Sequence, residues 1–230
     1  MINMEEKFRR RRLPHWDLPG ATYFITACLA GSIPAQGLLD IAECREFLAS
    51  RRRPDNISEA DWKAHCWKMT FARCERWLDR EPGVRHLADP ELAKVVTDSF
   101  YFFAGERNDL LAYVVMPSHF HWVFTPRQEW TKTLSEDRSP RERIMHSLKR
   151  HTAAECNQWL RRHGIFWQDE SYDHCVLDED ELDRIIHYVE QNPAKAGLVT
   201  SAELWQFSSA RDRVQWNIGR GHPLRRAEIE

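Results

Sequence analysis

Two histidines separated by one residue are the part of the sequence best suited to chemistry. His119 and His121 lie in the apolar stretch Tyr113–Thr125, which is interrupted by the turn residue Pro117. Successive side chains of a β-strand point to opposite faces, so the two imidazoles share one face. Such a pair can hold one divalent metal ion, but it also occurs as two half-exposed strand histidines without a ligand. The other face would carry the apolar side chains Phe120, Trp122 and Phe124.

Size, charge and cysteine content restrict the class of protein. The 230 residues suffice for one large domain with a core of its own. A net charge of −2 gives no global basic field, so a nucleic-acid surface would have to come from local clusters. No apolar run approaches a membrane span. The six cysteines form no Cys-x-x-Cys pair, which indicates reduced thiols in a cytoplasmic protein.

Two basic clusters are candidates for a nucleic-acid surface. One is near the N-terminus, and the other lies on the outer face of a helix predicted from Ser139 to His163. Both would suit phosphate groups. An ordinary solvated surface is an equal alternative for the N-terminal cluster and the usual role of such a helix face. Three histidines on the helix favour nucleic acid there. The candidate DNA-binding residues are Arg9, Arg10, Arg11, Arg12, Arg141, Arg143, Lys149 and Arg150.

The last predicted helix, Glu181–Pro193, carries a phenol and an amide on one flank. Tyr188 lies beside the apolar stripe of this helix, and Asn192 is four residues further on, so both side chains share that flank. A tyrosine there is ordinarily a boundary residue between core and solvent, and Asn before Pro is ordinarily a turn device. A nucleophile and an oxygen ligand are nevertheless the two groups that the histidine pair lacks.

The order of predicted elements indicates an α+β fold with a ferredoxin-like βαββαβ core, followed by the C-terminal tyrosine-bearing helix. Residues 31–88 are expected to form a helical insertion, and residues 211–230 a polar, loosely ordered tail. In this layout the strand that carries His119 is expected at or near an edge of the sheet. Its histidines would then be accessible from one side.

Apolar periodicity and capping residues predict the individual elements. The second helix of the insertion begins at Ser58 and is expected to bury Trp62, Cys66 and Met69. The predicted strands are Ala21–Ala30, Leu110–Met116, His119–Thr125 and Ser171–Leu177. The other predicted helices are Ile41–Arg53 and one that begins after the capping residue Asp89.

The histidine pair and the tyrosine helix occur together with further motifs in a fixed order. These are Gly20-Ala-Thr-Tyr-Phe-Ile-Thr26, Val114-Val-Met-Pro-Ser-His119, Phe166-Trp-Gln168 and Leu204-Trp-Gln-Phe-Ser-Ser209. Together with Tyr188-Val-Glu-Gln-Asn192-Pro193, the set resembles the HUH single-strand DNA nucleases, in particular the REP-associated tyrosine transposases. The resemblance covers most of the chain from about residue 10 to residue 210. Residues 31–88 are longer than the compact family pattern.

The resemblance implies a mechanism, a site and a partner. Tyr188 would attack a phosphodiester of single-stranded DNA, aided by Mg²⁺ or Mn²⁺ held by His119, His121 and Asn192. The product would be a 5′-phosphotyrosine, from which the strand can be rejoined. The implied partner is single-stranded or hairpin DNA. Residues 1–230 would be one HUH transposase domain, a monomer or homodimer that is cytoplasmic and nucleoid-associated when bound to DNA.

Three other functions are compatible with the same residues. A nucleic-acid-binding protein of this fold that no longer cuts would keep the site without using it. In a metal-dependent phosphoesterase, water would replace Tyr188 as the nucleophile, and no covalent protein–DNA species would form. A purely structural helical adaptor would leave the histidine pair and the basic helix unexplained.

Overall fold

The structure is a computed structural model that describes residues 7–10, 14–17, 20–80, 83–135, 137–169 and 171–225. Its strands are β1 (Lys7–Arg10), β2 (Pro14–Asp17), β3 (Tyr23–Cys28), β4 (Asn108–Val115), β5 (His119–Pro126) and β6 (Tyr172–Cys175). Its helices are α1 (Ala35–Ser50), α2 (Glu59–Leu78), α3 (Pro90–Phe102), α4 (Gln128–Thr131), α5 (Pro140–Trp159), α6 (Glu179–Lys195) and α7 (Ser209–Trp216). Among the helices described, none is long and apolar enough to cross a membrane.

The main sheet has four antiparallel strands in the order β4-β5-β3-β6. This order, with α3 and α5 as the connecting helices, confirms the predicted α+β, ferredoxin-like core. The histidine strand is predicted at or near an edge, and β5 lies next to the edge strand β4, so the near-edge position is confirmed. One side of β5 pairs with β4 through the hairpin, and the other side pairs with β3 along its whole length, from Tyr23 to Cys28.

Alternation along β3 and β5 gives the sheet two different faces. Ile25 and Trp122 point to one face, where α3 and α5 cover a large apolar cluster. Phe24 and Val123 point to the other face, where α6 packs. We call these the apolar face and the histidine face. Phe120, Trp122 and Phe124 belong to the apolar face, as the alternation predicted.

The segment between β3 and α3 folds into the helices α1 and α2, which pack against each other near the end of β3. Cys74 and Leu78 of α2 are buried together with Cys28 and Ile41. The prediction of the buried face of α2 is wrong, because Met69 is 43% exposed. The residues that face inward are shifted by about one position along the helix. The stripe that packs inward is instead Trp67, Phe71, Cys74 and Leu78, which also has helical spacing.

The C-terminal residues pack more tightly than expected. Leu224 is fully buried, and its backbone N–H donates to the carbonyl oxygen of Leu110 at 2.7 Å. Arg213 donates from Nε to the Glu190 carboxylate on α6 at 2.7 Å, and this pair is buried. The prediction of a loose tail is therefore wrong for the described residues up to 225. Although this segment is mostly polar in sequence, buried Leu224 and the buried ion pair of Arg213 with Glu190 fix it to the rest of the protein.

Candidate active site

The two histidines lie side by side on the histidine face, with their ring centroids 4.9 Å apart. Thr26 is the direct register partner of His121, and its hydroxyl lies 2.7 Å from His121 Nδ1. The Ser118 hydroxyl lies 3.0 Å from His119 Nδ1. Hydroxyl partners at both Nδ1 atoms suit the tautomer with hydrogen on Nδ1. Both Nε2 lone pairs are then available for a ligand.

Helix α6 brings the predicted phenol and amide to this pair. The ring centroid of Tyr188 is 5.5 Å from that of His121. Asn192 Nδ2 lies 3.2 Å from His121 Nε2. Pro193 does not end the helix at Asn192, because α6 continues to Lys195. The shared flank follows from the four-residue spacing, which places both side chains above the same imidazole.

An acidic residue that was not predicted from the sequence completes the cluster. Glu75 of α2 accepts a hydrogen bond from the Tyr188 hydroxyl through Oε2. Its Oε1 lies 3.9 Å from His121 Nε2. One ligand atom each from Glu75, His119 and His121 lie within 4.8 Å of one another. The signal in the sequence was an acidic residue four positions after Phe71, inside an otherwise apolar helical stripe.

Burial determines the charge states of these groups. It lowers the pKa of His119 to about 3. It also lowers the pKa of His121 well below its usual value, and His119 and Lys195 add to that effect. Both imidazoles are therefore neutral near pH 7, the form that binds metals. Burial raises the pKa of Glu75 to about 8; the nearby Asp79 carboxylate adds to this rise and Lys195 opposes it.

Two buried polar atoms of the cluster have no hydrogen-bond partner within the described part of the chain. They are Glu75 Oε1 and His119 Nε2. A buried polar atom without a partner costs free energy, so such atoms usually mark a missing water or ion. Two imidazole nitrogens and a carboxylate oxygen are a suitable donor set for a divalent cation. The residues present therefore fit a metal ion.

The histidine pair is closed to solvent, so the expectation that it is accessible from one side is wrong. His121 is 0% exposed and His119 4% exposed. Helix α2 covers them with the stacked rings of Trp67 and Phe71, whose centroids are 4.8 Å apart. Phe71 also contacts the rings of His121 and Tyr188. These aromatic side chains therefore separate the histidine pair from solvent.

The predicted basic surface differs from expectation. Arg141 is buried and lies 3.3 Å from the Asp173 carboxylate, not on the outer face of α5. Arg143 binds Asp137. Lys149 donates to the carbonyl oxygens of Gln168 and Asp169 at 2.8 and 3.2 Å.

Among the four basic residues predicted on α5, Arg150 is the one that is exposed. Helix α5 packs on the apolar face, across the sheet from Tyr188. Of the N-terminal candidates, Arg11, Arg12 and the side chains of Arg9 and Arg10 lie outside the described residues.

The fold and the cluster define an α+β protein with a buried histidine pair beside a tyrosine helix on one face of an antiparallel sheet. No family model and no curated protein matches the sequence. A solved structure of a REP-associated tyrosine transposase bound to a REP hairpin has a similar fold, with a TM-score of 0.51. The match covers 94% of this chain and 88% of that one at 16% identity, so it shows a relationship of fold.

Proposed function

We propose that this protein is a metal-dependent endonuclease and strand transferase for single-stranded DNA, with Tyr188 as the nucleophile and hairpin DNA of the REP type as the substrate. The proposal rests on one observation, the position of Tyr188 directly beside the histidine pair. The ring of Tyr188 lies 5.5 Å from the ring of His121, although 66 other residues separate the two in the chain. The similar fold of a hairpin-bound transposase supports the choice of substrate.

Each side chain has a distinct part in the reaction. The phenol oxygen of Tyr188 loses its proton to solvent and forms a bond to phosphorus, while the bond between phosphorus and the 3′ oxygen breaks. The products are a 5′-phosphotyrosine and a 3′-hydroxyl, which takes up a proton. The phosphotyrosine bond retains the energy needed to rejoin the strand. Thr26 and Ser118 hold the imidazoles in the tautomer that presents Nε2.

A divalent cation, Mg²⁺ or Mn²⁺, would be held by His119, His121 and Asn192 and would stabilise the charge that develops on the leaving 3′ oxygen. Asn192 is next to His121 Nε2 through its amide nitrogen. A half-turn of the amide places Oδ1 there instead, so the same side chain serves as an oxygen ligand.

Tyr188 is also the tyrosine best placed for a reaction with a macromolecule. The chain has five tyrosines, and the other four, Tyr23, Tyr101, Tyr113 and Tyr172, are buried. Tyr188 is partly exposed. Its hydroxyl faces the histidine cluster and not the apolar face. The DNA-binding roles of Arg9, Arg10, Arg11, Arg12 and Arg150 are part of this proposal, whereas Arg141, Arg143 and Lys149 are engaged within the protein.

One observation favours a second function, a hairpin-binding protein that does not cut. The Tyr188 hydroxyl is engaged by Glu75, and α2 closes the histidine face. If that closure persisted on DNA, binding would occur without chemistry. A protein of this kind would shift a hairpin oligonucleotide in a native gel and yield no covalent product.

The test is a denaturing gel of protein incubated with a labelled hairpin oligonucleotide and Mn²⁺. We expect a covalent band with the natural protein and none with Tyr188→Phe, whose binding in a native gel stays nearly unchanged. We also expect no band with His121→Ala or in excess chelator. His187→Ala is the matched control, because His187 is the exposed neighbour of Tyr188 on α6. A full covalent yield with Tyr188→Phe would show that another residue is the nucleophile.

A further inference from the structure

Helix α2 forms one wall of the site, although it comes from the segment 31–88, which lies outside the motifs for chemistry found in the sequence. It runs alongside α6 in the same direction. Lys68 lies 3.8 Å from Glu181 near the start of α6, and Asp79 lies 3.9 Å from Lys195 at its end. Glu75 contacts Tyr188 between these two ion pairs.

The two oxygens of the Glu75 carboxylate have different surroundings. Oε2 accepts the hydrogen bond from the Tyr188 hydroxyl. Oε1 points toward the histidines, 3.9 Å from His121 Nε2, and is one of the buried atoms for which the described residues offer no partner. The residue is 8% exposed, so water does not freely solvate it. Desolvating one oxygen of a carboxylate without a partner is costly, and a nearby cation removes that cost.

The position of Glu75 along α2 is fixed by packing. Cys74, next to it, is fully buried against Cys28, and Leu78 is 5% exposed in the same cluster. Phe71 and Trp67, toward the start of α2, are only partly buried. The half of the helix that carries Glu75 is therefore anchored to the sheet, while the aromatic cover lies on the less anchored half.

We propose that Glu75 is the carboxylate ligand of the divalent cation and that its second oxygen holds the hydroxyl of Tyr188. This inference rests on the proposed function, because it concerns the same cation. Segment 31–88 then contributes a residue, Glu75, to the proposed active site. Asn192 is the fourth donor beside two imidazoles and one carboxylate, a set that suits Mn²⁺ or Mg²⁺ with positions left for the phosphate.

The test measures Mn²⁺ affinity of the full chain by titration calorimetry in the absence of DNA. We expect Glu75→Gln, which keeps the shape and an acceptor for Tyr188, to weaken Mn²⁺ binding at least about tenfold. Tyr188→Phe should bind Mn²⁺ like the natural protein. The matched control is Glu59→Gln, because Glu59 is an exposed carboxylate on the same helix. If Glu75→Gln does not fold, as judged by circular dichroism, Glu75→Asp should weaken binding in the same direction.

Two results would overturn the inference. Equal Mn²⁺ affinity of Glu75→Gln and the natural protein would remove Glu75 from the ligand set. Equal affinity together with a higher yield of covalent DNA adduct would show that the carboxylate occupies the place of the substrate phosphate. Loss of adduct in Tyr188→Phe does not depend on either result, so failure of this inference is separable from failure of the proposed function. If the natural protein bound no Mn²⁺, both the metal and this inference would be rejected.

Discussion

The two faces of the central sheet are built from alternate residues of the same strands, yet one is an apolar core and the other carries a cluster of polar groups. Phe120 and His121 are adjacent in β5. Phe120 is buried in a cluster of apolar side chains beneath α3 and α5. His121 is buried just as completely, but next to a carboxylate, a phenol and an amide. Burial of carbon stabilises the first face. On the second face, burial removes water from polar groups and shifts their pKa values.

The difference shows that the degree of burial alone does not distinguish the hydrophobic core from the candidate active site. Both faces exclude solvent, but they differ in the buried polar atoms that have no partner among the described residues. On the histidine face these are Glu75 Oε1 and His119 Nε2, which can accept a hydrogen bond or bind a cation, whereas on the apolar face Trp122 Nε1 is an N–H donor. The stability of the protein should therefore depend mostly on the apolar face. Metal binding and pH should act mostly through the histidine face. The predictions below test this division.

The largest expected effect is on the apolar face. Phe120→Ala should lower the free energy of unfolding by about 3–5 kcal/mol, because it leaves a cavity among close-packed rings. Mn²⁺ should still bind to the folded fraction, since the proposed metal ligands lie on the opposite face of the sheet. Urea unfolding with chelator gives the first quantity, and Phe120→Leu is the milder control. A loss below about 1 kcal/mol would mean that this face is not the main source of stability.

A smaller effect is expected from pH on the histidine face. Glu75 has a raised pKa of about 8 in the folded protein, against about 4.3 for an unperturbed Glu. The folded state therefore holds the proton over most of that range, and the unfolded state has lost it. The contribution of Glu75 to stability should therefore fall as pH rises, by about 1.5 kcal/mol between pH 6.5 and pH 8 with metal removed. Unfolded histidines are half protonated at pH 6.5 whereas His119 and His121 are neutral in the folded protein, so each of these two opposes the fall by about 0.4 kcal/mol.

Urea unfolding at several pH values in chelator measures the slope. Glu75→Gln should remove the fall, and Glu59→Gln should not. The charged groups that bear on Glu75 are Asp79 on the same helix and Lys195 on α6. An unchanged slope in Glu75→Gln would assign the pH dependence to another group.

The smallest effect concerns the cover of the histidine face. Addition of hairpin DNA should increase amide hydrogen exchange in residues 59–71, because Trp67 and Phe71 cover the histidine pair and, under the proposed function, must move before a phosphate reaches it. Residues 72–78, which carry the buried Cys74 and Leu78, should stay protected. Helices α3 and α5 on the other face are the internal control. Uniform exchange across α2 would mean that the helix opens as one piece.

Local pattern predicted much of this arrangement. Period-two alternation in β5 placed His121 opposite Phe120, and four-residue spacing placed Asn192 beside Tyr188. Capping by Ser58 and Asp89 gave the starts of α2 and α3, where both side chains accept backbone hydrogen bonds. These features depend on residues close in sequence, so the sequence contains the information directly.

Features that depend on distant pairing were missed. The prediction left open whether β5 is the edge strand or its neighbour, and its pairing with β3, about 95 residues earlier in the chain, decides that it is the neighbour. The contact between Tyr188 and Glu75 joins residues 113 apart. Burial of Arg141 depends on Asp173, whose strand lies at the sheet edge. No periodicity in the sequence encodes such encounters, and an acid within an apolar stripe was the only local trace of Glu75.

The most direct test of the central claim is to identify the residue that becomes attached to DNA. The protein is incubated with hairpin DNA and Mn²⁺, digested with nuclease and protease, and its peptides are sequenced by mass spectrometry. We predict a nucleotide on Tyr188 and on no other tyrosine, formed with Mn²⁺ and absent in chelator. Cleavage of the hairpin with the nucleotide on a different residue, or with no attached nucleotide, would contradict the account.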